Sequence, residues 1–183
     1  MKGKSVILGL VLSLLLSMQS FAATEIGLNL NWKYAKNAKI TGKAILFTSD
    51  SKNPKKITIA VNAGHGTKGG EKLRTLCHPD GTRKVTGGTN AAGVTTALAV
   101  SSGMTFKDGT KEATVTLEMG HIFAKKLLQA GYDVLLIRDG EDVQLDNVAR
   151  TVLANNKADA HIALHWDATE KDKGAFFMSV PDS

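Results

Sequence analysis

The sequence predicts an α/β protein: a twisted, mostly parallel sheet with helices on both faces and a long loop-rich insertion after the first core strand. Three observations carry this. From residue 56 onward, apolar runs that read as strands alternate with segments of helical periodicity, and that order requires crossover connections. Between the first strand and the first helix, Gly64 to Gly109 is rich in Gly, Thr and Ser with little periodicity. The chain has 183 residues, 43% of them hydrophobic, enough for one domain with its own core.

Residues 1–22 stand apart from that core. Lys2 and Lys4 precede the apolar run Val6 to Met18, and the small-residue pattern Ser20-Phe21-Ala22 follows it. A basic start, a short apolar run and a small-x-small site describe a secretory signal peptide cleaved after Ala22. The run is too short for a membrane anchor, which needs about 20 apolar residues. Export follows, with no stable membrane anchor after cleavage. Residues 23–55 form a mixed N-terminal segment and linker, with short apolar pieces at Ile26-Leu30 and Ala44-Thr48 and a turn-like "SKNPKK".

Residues 56–183 carry the main domain. "KITIAVN", Lys56 to Asn62, reads as a buried strand running to a glycine stop. A segment of some 40 residues without structure of its own is unusual, so Gly64 to Gly109 is expected to hide short elements. From Thr110, the residues Val115, Met119, Ile122, Phe123 and Leu127 fall on one helical face, and Gly131 supplies the stop. "DVLLIRD" is a second strand, and Val143 to Lys157 a helix with Leu145, Val148 and Val152 facing inward. "AHIALHW" is a third strand and "GAFFMSV", Gly174 to Val180, a fourth.

Charge and cysteine usage narrow the partners. The formal charge is +6, and removing residues 1–22 takes away two lysines and no acid, leaving +4. That excess suits anionic wall material and is equally explained by surface lysines. No basic run with interleaved aromatics points to nucleic acid. The single cysteine, Cys77, cannot form an internal disulfide. Arg138 and Arg150 are expected to form buried ion pairs rather than to steer substrate.

The glycine loop after the first strand raises the functional question. Gly64-His65-Gly66-Thr67-Lys68-Gly69 matches a dinucleotide fingerprint, but "EKLRTLCHPDGTRK" behind it cannot open the required helix. In open α/β sheets, sites form at the carboxyl ends of strands. His65 lies just past one such end and His165 at another, and two histidines on one rim suit zinc, which takes three protein ligands in catalytic sites. Glu112, Glu118 and His121 are candidates for the third. Glu112 lies in the first turn of its helix, whereas Glu118 lies about 9 Å further along the axis, so Glu112 is the better geometrical choice. His161 is roughly 13 Å from His165 along its strand and is expected to be a packed, hydrogen-bonded core residue.

These residues resemble the zinc-dependent N-acetylmuramoyl-L-alanine amidases of the third amidase class. "VNAGHG" resembles that family's strand and Gly-His-Gly opening, and "GTKEATVTL" its helix start bearing a glutamate ligand. "GYDVLLIRDGEDVQLDNVARTVLANNKADAHIALHWDA" resembles the long central block ending in the second histidine motif. The resemblance covers Lys56 to Val180 and implies His65, Glu112 and His165 as ligands of Zn2+, deciding for Glu112 over Glu118. It also implies hydrolysis of the amide between N-acetylmuramic acid and L-alanine in peptidoglycan. The spacing from His65 to Glu112 exceeds the family's usual one, which makes Lys68 to Phe106 an insertion. The family's general-base glutamate sits on a late strand and is expected beyond Ser183, so the chain reads as incomplete at its C-terminus. Two alternatives are a zinc peptidase on stem peptides, whose His-x-x-Glu pattern is missing here, and a non-catalytic wall-binding domain.

Overall fold

A computed structural model describes residues 21–87, 90–167, 174–175 and 177. Seven strands and two helices make up the described chain: β1 Ala22–Gly27, β2 Lys43–Thr48, β3 Thr58–Ala63, β4 Arg74–Leu76, β5 Thr96–Leu98, α1 Glu112–Gln129, β6 Asp133–Leu136, α2 Asn147–Lys157 and β7 Ala160–Leu164. A single 3-10 turn, Ala35–Asn37, sits between β1 and β2. The main sheet has the order β1-β2-β6-β3-β7. Its core pairings, β3 with β6 and β3 with β7, are parallel. The two N-terminal strands add antiparallel pairings, β1 with β2 and β2 with β6.

The parallel core follows from the chain's order, because β6 and β7 are each reached through a helix that must cross a face of the sheet. Alternation along β3 sends neighbouring side chains to opposite faces. Ala60 joins Leu135, Ile137, Ala149 and Leu153 under α2. Ile59 and Val61 join Val134, Leu136, Ala124 and Leu128 under α1. Helices on both faces and a parallel centre are as the sequence predicts.

Two details differ from the sequence expectations. The face that α1 buries is Ala113, Thr116, Leu117, Gly120, Ala124 and Leu128. Of the expected face, Val115, Met119, Phe123 and Leu127 are only half-buried, and Ile122 is 48% exposed. Small residues win the central position because the helix lies close to β3: a Cβ on Gly120 would sit 3.3 Å from the Ala63 methyl. The second helix begins at Asn147, not near Val143, because the Asp146 side chain caps it by accepting from Ala149 N–H at 2.8 Å. Leu145, Val148 and Val152 are buried as expected, Leu145 from the loop ahead of the helix. The strand expected over 174–180 lies, apart from Gly174, Ala175 and Phe177, outside the described residues, as do residues 1–20 of the expected signal peptide.

Between β3 and α1 the chain makes an excursion that does contain structure. Strands β4 and β5 pair antiparallel, Arg74 opposite Leu98 and Leu76 opposite Thr96. The stem is stitched shut by Ala99 N–H to Leu73 O at 2.8 Å and Val100 N–H to Gly70 O at 3.4 Å. Gly70 has to be glycine there, since a Cβ would lie 2.3 Å from the Val100 carbonyl oxygen. Asn147 N–H donates to Ala99 O at 3.1 Å, tying the returning chain to the start of α2. Among the described residues, no helix is long and apolar enough to cross a membrane.

Candidate metal centre

Parallel register brings the site together. Ala63, the last residue of β3, lies opposite Leu164, the last of β7. The next residue on each strand then faces the other, and Gly64 N–H donates to Leu164 O at 2.9 Å. A Cβ on Gly64 would meet the His165 ring at 2.5 Å, and one on Gly66 would meet Val143 at 2.5 Å. Glycines therefore flank His65 to admit other groups, not to cradle a phosphate. His65 itself takes a left-handed backbone, φ 66°, which costs a non-glycine residue about 1–3 kcal/mol and persists only where the surroundings enforce it.

Two buried arginines do the enforcing. Arg138 follows β6, is 0% exposed, and donates to Ala63 O at 3.1 Å, Gly64 O at 3.0 Å and Ala113 O at 2.7 Å. Arg150, on α2 and 2% exposed, donates to His65 O at 2.7 Å, Asn62 Oδ1 at 3.2 Å and Leu145 O at 2.9 Å. The three successive carbonyls of Ala63, Gly64 and His65 are thus all held. The expected ion pairs are corrected: among the described residues, neither guanidinium has a carboxylate within salt-bridge distance. Planar forks of N–H donors suit several carbonyls at once, which an ammonium cannot match. Burial pushes both down to about 10, with Arg138 adding to the effect at Arg150, and both stay charged at neutral pH.

Glu112 is the first residue of α1, and its carboxylate is 3% exposed. It accepts from Trp166 N–H through Oε1 at 2.8 Å and from Met104 N–H through Oε2 at 2.9 Å. Burial opposes its charge, but these N–H groups and the neighbouring His65 outweigh burial and hold the carboxyl below its ordinary range. Burial, with His65 beside it, lowers the His165 imidazole. An ionised carboxylate and neutral imidazoles are the forms that coordinate metals.

The three side chains converge. His65 Nε2 lies 3.1 Å from Glu112 Oε1, His165 Nδ1 lies 3.2 Å from the same oxygen, and the two ring nitrogens are 3.0 Å apart. Ligands at 2.0–2.1 Å around a tetrahedral zinc stand roughly 3.3 Å from one another. The trio therefore outlines one face of a tetrahedron, and its donor set of two nitrogens and one oxygen fits that metal. These residues form the one metal-competent group among the described residues.

A family model described as N-acetylmuramoyl-L-alanine amidase matches residues 59–180, a span that contains all three converging side chains. The chain belongs to that family. A search of curated proteins gave no match. Within this family member the other sequence candidates fall elsewhere. Glu118 is exposed on α1. His121 pairs with Asp139 at 3.1 Å through Nε2, outside the trio. His161 is exposed on β7, so the expectation of a packed core residue is corrected. β7 is an edge strand among the described residues, and its side chains are exposed except for the half-buried Leu164. Cys77 is a free, half-buried thiol beyond β4.

Sequence reasoning missed the supports of the site. His65 Nδ1 lies 2.8 Å from Ser101 O, and a carbonyl only accepts, so that nitrogen carries the proton and Nε2 presents its lone pair to the trio. The contributions of Met104 and Trp166 are backbone N–H groups, which no side-chain pattern reveals. The arginines did leave a signal, as charges at positions otherwise belonging to the core.

Proposed function

We propose that the protein is a zinc hydrolase that cleaves the amide bond between N-acetylmuramic acid and L-alanine in peptidoglycan. The observation that carries this reading is the tetrahedral face formed by His65, Glu112 and His165 in a chain of the peptidoglycan amidase family. Zinc bound there supplies Lewis acidity, acidifying a water toward pKa 7 and polarising the scissile carbonyl. His65 and His165 would hold it through Nε2 and Nδ1, and Glu112 through Oε1. Two neutral imidazoles and one carboxylate leave a net positive site, which favours the developing oxyanion. Trp166, the residue after His165, is 43% exposed and edge-to-face with Phe106 at 6.0 Å. Residues 1–22 act as a signal peptide, and the protein works in the cell wall or periplasm.

Purified peptidoglycan digested with the zinc-loaded protein tests the reading. Released stem peptides with a free L-alanine amino terminus, together with glycan strands bearing free lactyl carboxyls, are expected. Shortened peptides still attached to glycan would indicate a peptidase and overturn it. Zinc content by elemental analysis tests the ligands separately: His65→Ala, Glu112→Ala and His165→Ala should lose the metal, and Glu118→Ala and His161→Ala should retain it.

A further inference from the structure

We propose that the return limb of the excursion, Ala99 to Phe106, is the positioning clamp of the metal centre, setting the tautomer of His65 and the carboxylate orientation of Glu112. The proposal rests on the reading of the trio as a metal site. Two of the three candidate ligands are held by this limb through main-chain groups. Ser101 O takes the His65 Nδ1 proton at 2.8 Å, with Ser101 Oγ at 3.1 Å from the same nitrogen. Met104 N–H occupies Glu112 Oε2 at 2.9 Å, which leaves Oε1 turned toward both imidazoles. Met104 O also accepts Glu112 N–H at 3.0 Å, so the same residue grips the glutamate by backbone and side chain.

Gly103 is what lets the limb close this far. Its φ is +78°, and a Cβ there would stand 2.7 Å from Glu112 Oε2 and 2.8 Å from His65 Cδ2. Those two atoms belong to different candidate ligands, so the limb reaches the centre of the site rather than its rim. Its two ends are fixed independently, at Gly70 and Asn147 through Val100 and Ala99, and by the bridge between Thr105 and Lys111. Groups that orient a ligand from behind typically change metal affinity 10- to 100-fold when lost.

The excursion contains its own controls. Gly81 and Gly93 have φ +82° and +84°, and a Cβ on either meets nothing within 4 Å. Gly81→Ala and Gly93→Ala therefore impose the backbone penalty of Gly103→Ala without touching a ligand. Zinc affinity of the full chain, measured by competition with a chelating dye, should fall 10- to 100-fold in Gly103→Ala and stay within twofold in the other two. Long-range proton–nitrogen NMR of the zinc-loaded wild type should place the His65 proton on Nδ1, and this decides alone if Gly103→Ala does not fold. Unchanged affinity in Gly103→Ala, equal losses in all three variants, or a proton on Nε2 would overturn the clamp. A wild-type chain that takes up no zinc would overturn the metal reading and the clamp with it.

Discussion

Arg138 joins the ends of three elements: its guanidinium donates to carbonyls after β3, at the start of α1 and after β6, and to Thr116 Oγ1 at 3.2 Å. Arg138→Lys keeps the charge and loses the fork. Several buried carbonyls would lose their partner, at about 1–3 kcal/mol each where no other donor reaches them. Urea unfolding should show a loss of about 3 kcal/mol, and a loss below about 1 kcal/mol would mean that the ammonium or water replaces the bonds. The two arginines also show where residue-level reading stops. Their burial was legible, because charged residues lay within apolar strand and helix patterns. Their partners were not, because carbonyl oxygens are present at every position and carry no sequence signal.

At the level of elements, Asp146 does more than end a loop. It is fully buried, caps α2, and also accepts from the backbone N–H groups of Lys39 and Ile40. One carboxylate thus fastens the linker between β1 and β2 to the helix that carries Arg150. Asp146→Ala should cost about 1 kcal/mol for the cap and about 1–3 kcal/mol more for each N–H left without a partner. Thermal melts should show the loss, with Asp146→Asn recovering much of the cap; equal stability of Ala and Asn would refute a capping role. The strands and helices of the parallel core were legible because branched apolar runs and helical periodicity alternate there. The buried face of α1 was not, since Ala113, Gly120 and Ala124 owe their burial to close approach to β3 rather than to apolar bulk. β1 was also hidden: most of its residues are exposed, and only its pairing with β2 defines it.

For the whole molecule, His65, Glu112 and His165 were legible as residues that topology delivers to one rim, while the limb that holds His65 and Glu112 was not, because it works through backbone groups. The trio joins the end of β3, the start of α1 and the end of β7, so a bound metal would tie together elements distant in sequence. A ligand that binds only the folded state at one hundred times its dissociation constant adds about 2.7 kcal/mol. In a domain of this size that raises the melting temperature by roughly 5–10 °C. Zinc should produce this shift in the wild type and none in His165→Ala; an equal shift in both would place the bound metal elsewhere. The strand order β1-β2-β6-β3-β7 also sets a timetable for a chain that emerges amino end first. The β1–β2 hairpin can close as soon as residue 48 exists, yet β2 waits until residue 133 for its second neighbour, and β3 until residue 160. Distant pairings of this kind form slowly. The third corner of the site arrives later still, at residue 165, so a metal held by all three side chains would follow the pairing of the core strands rather than seed it.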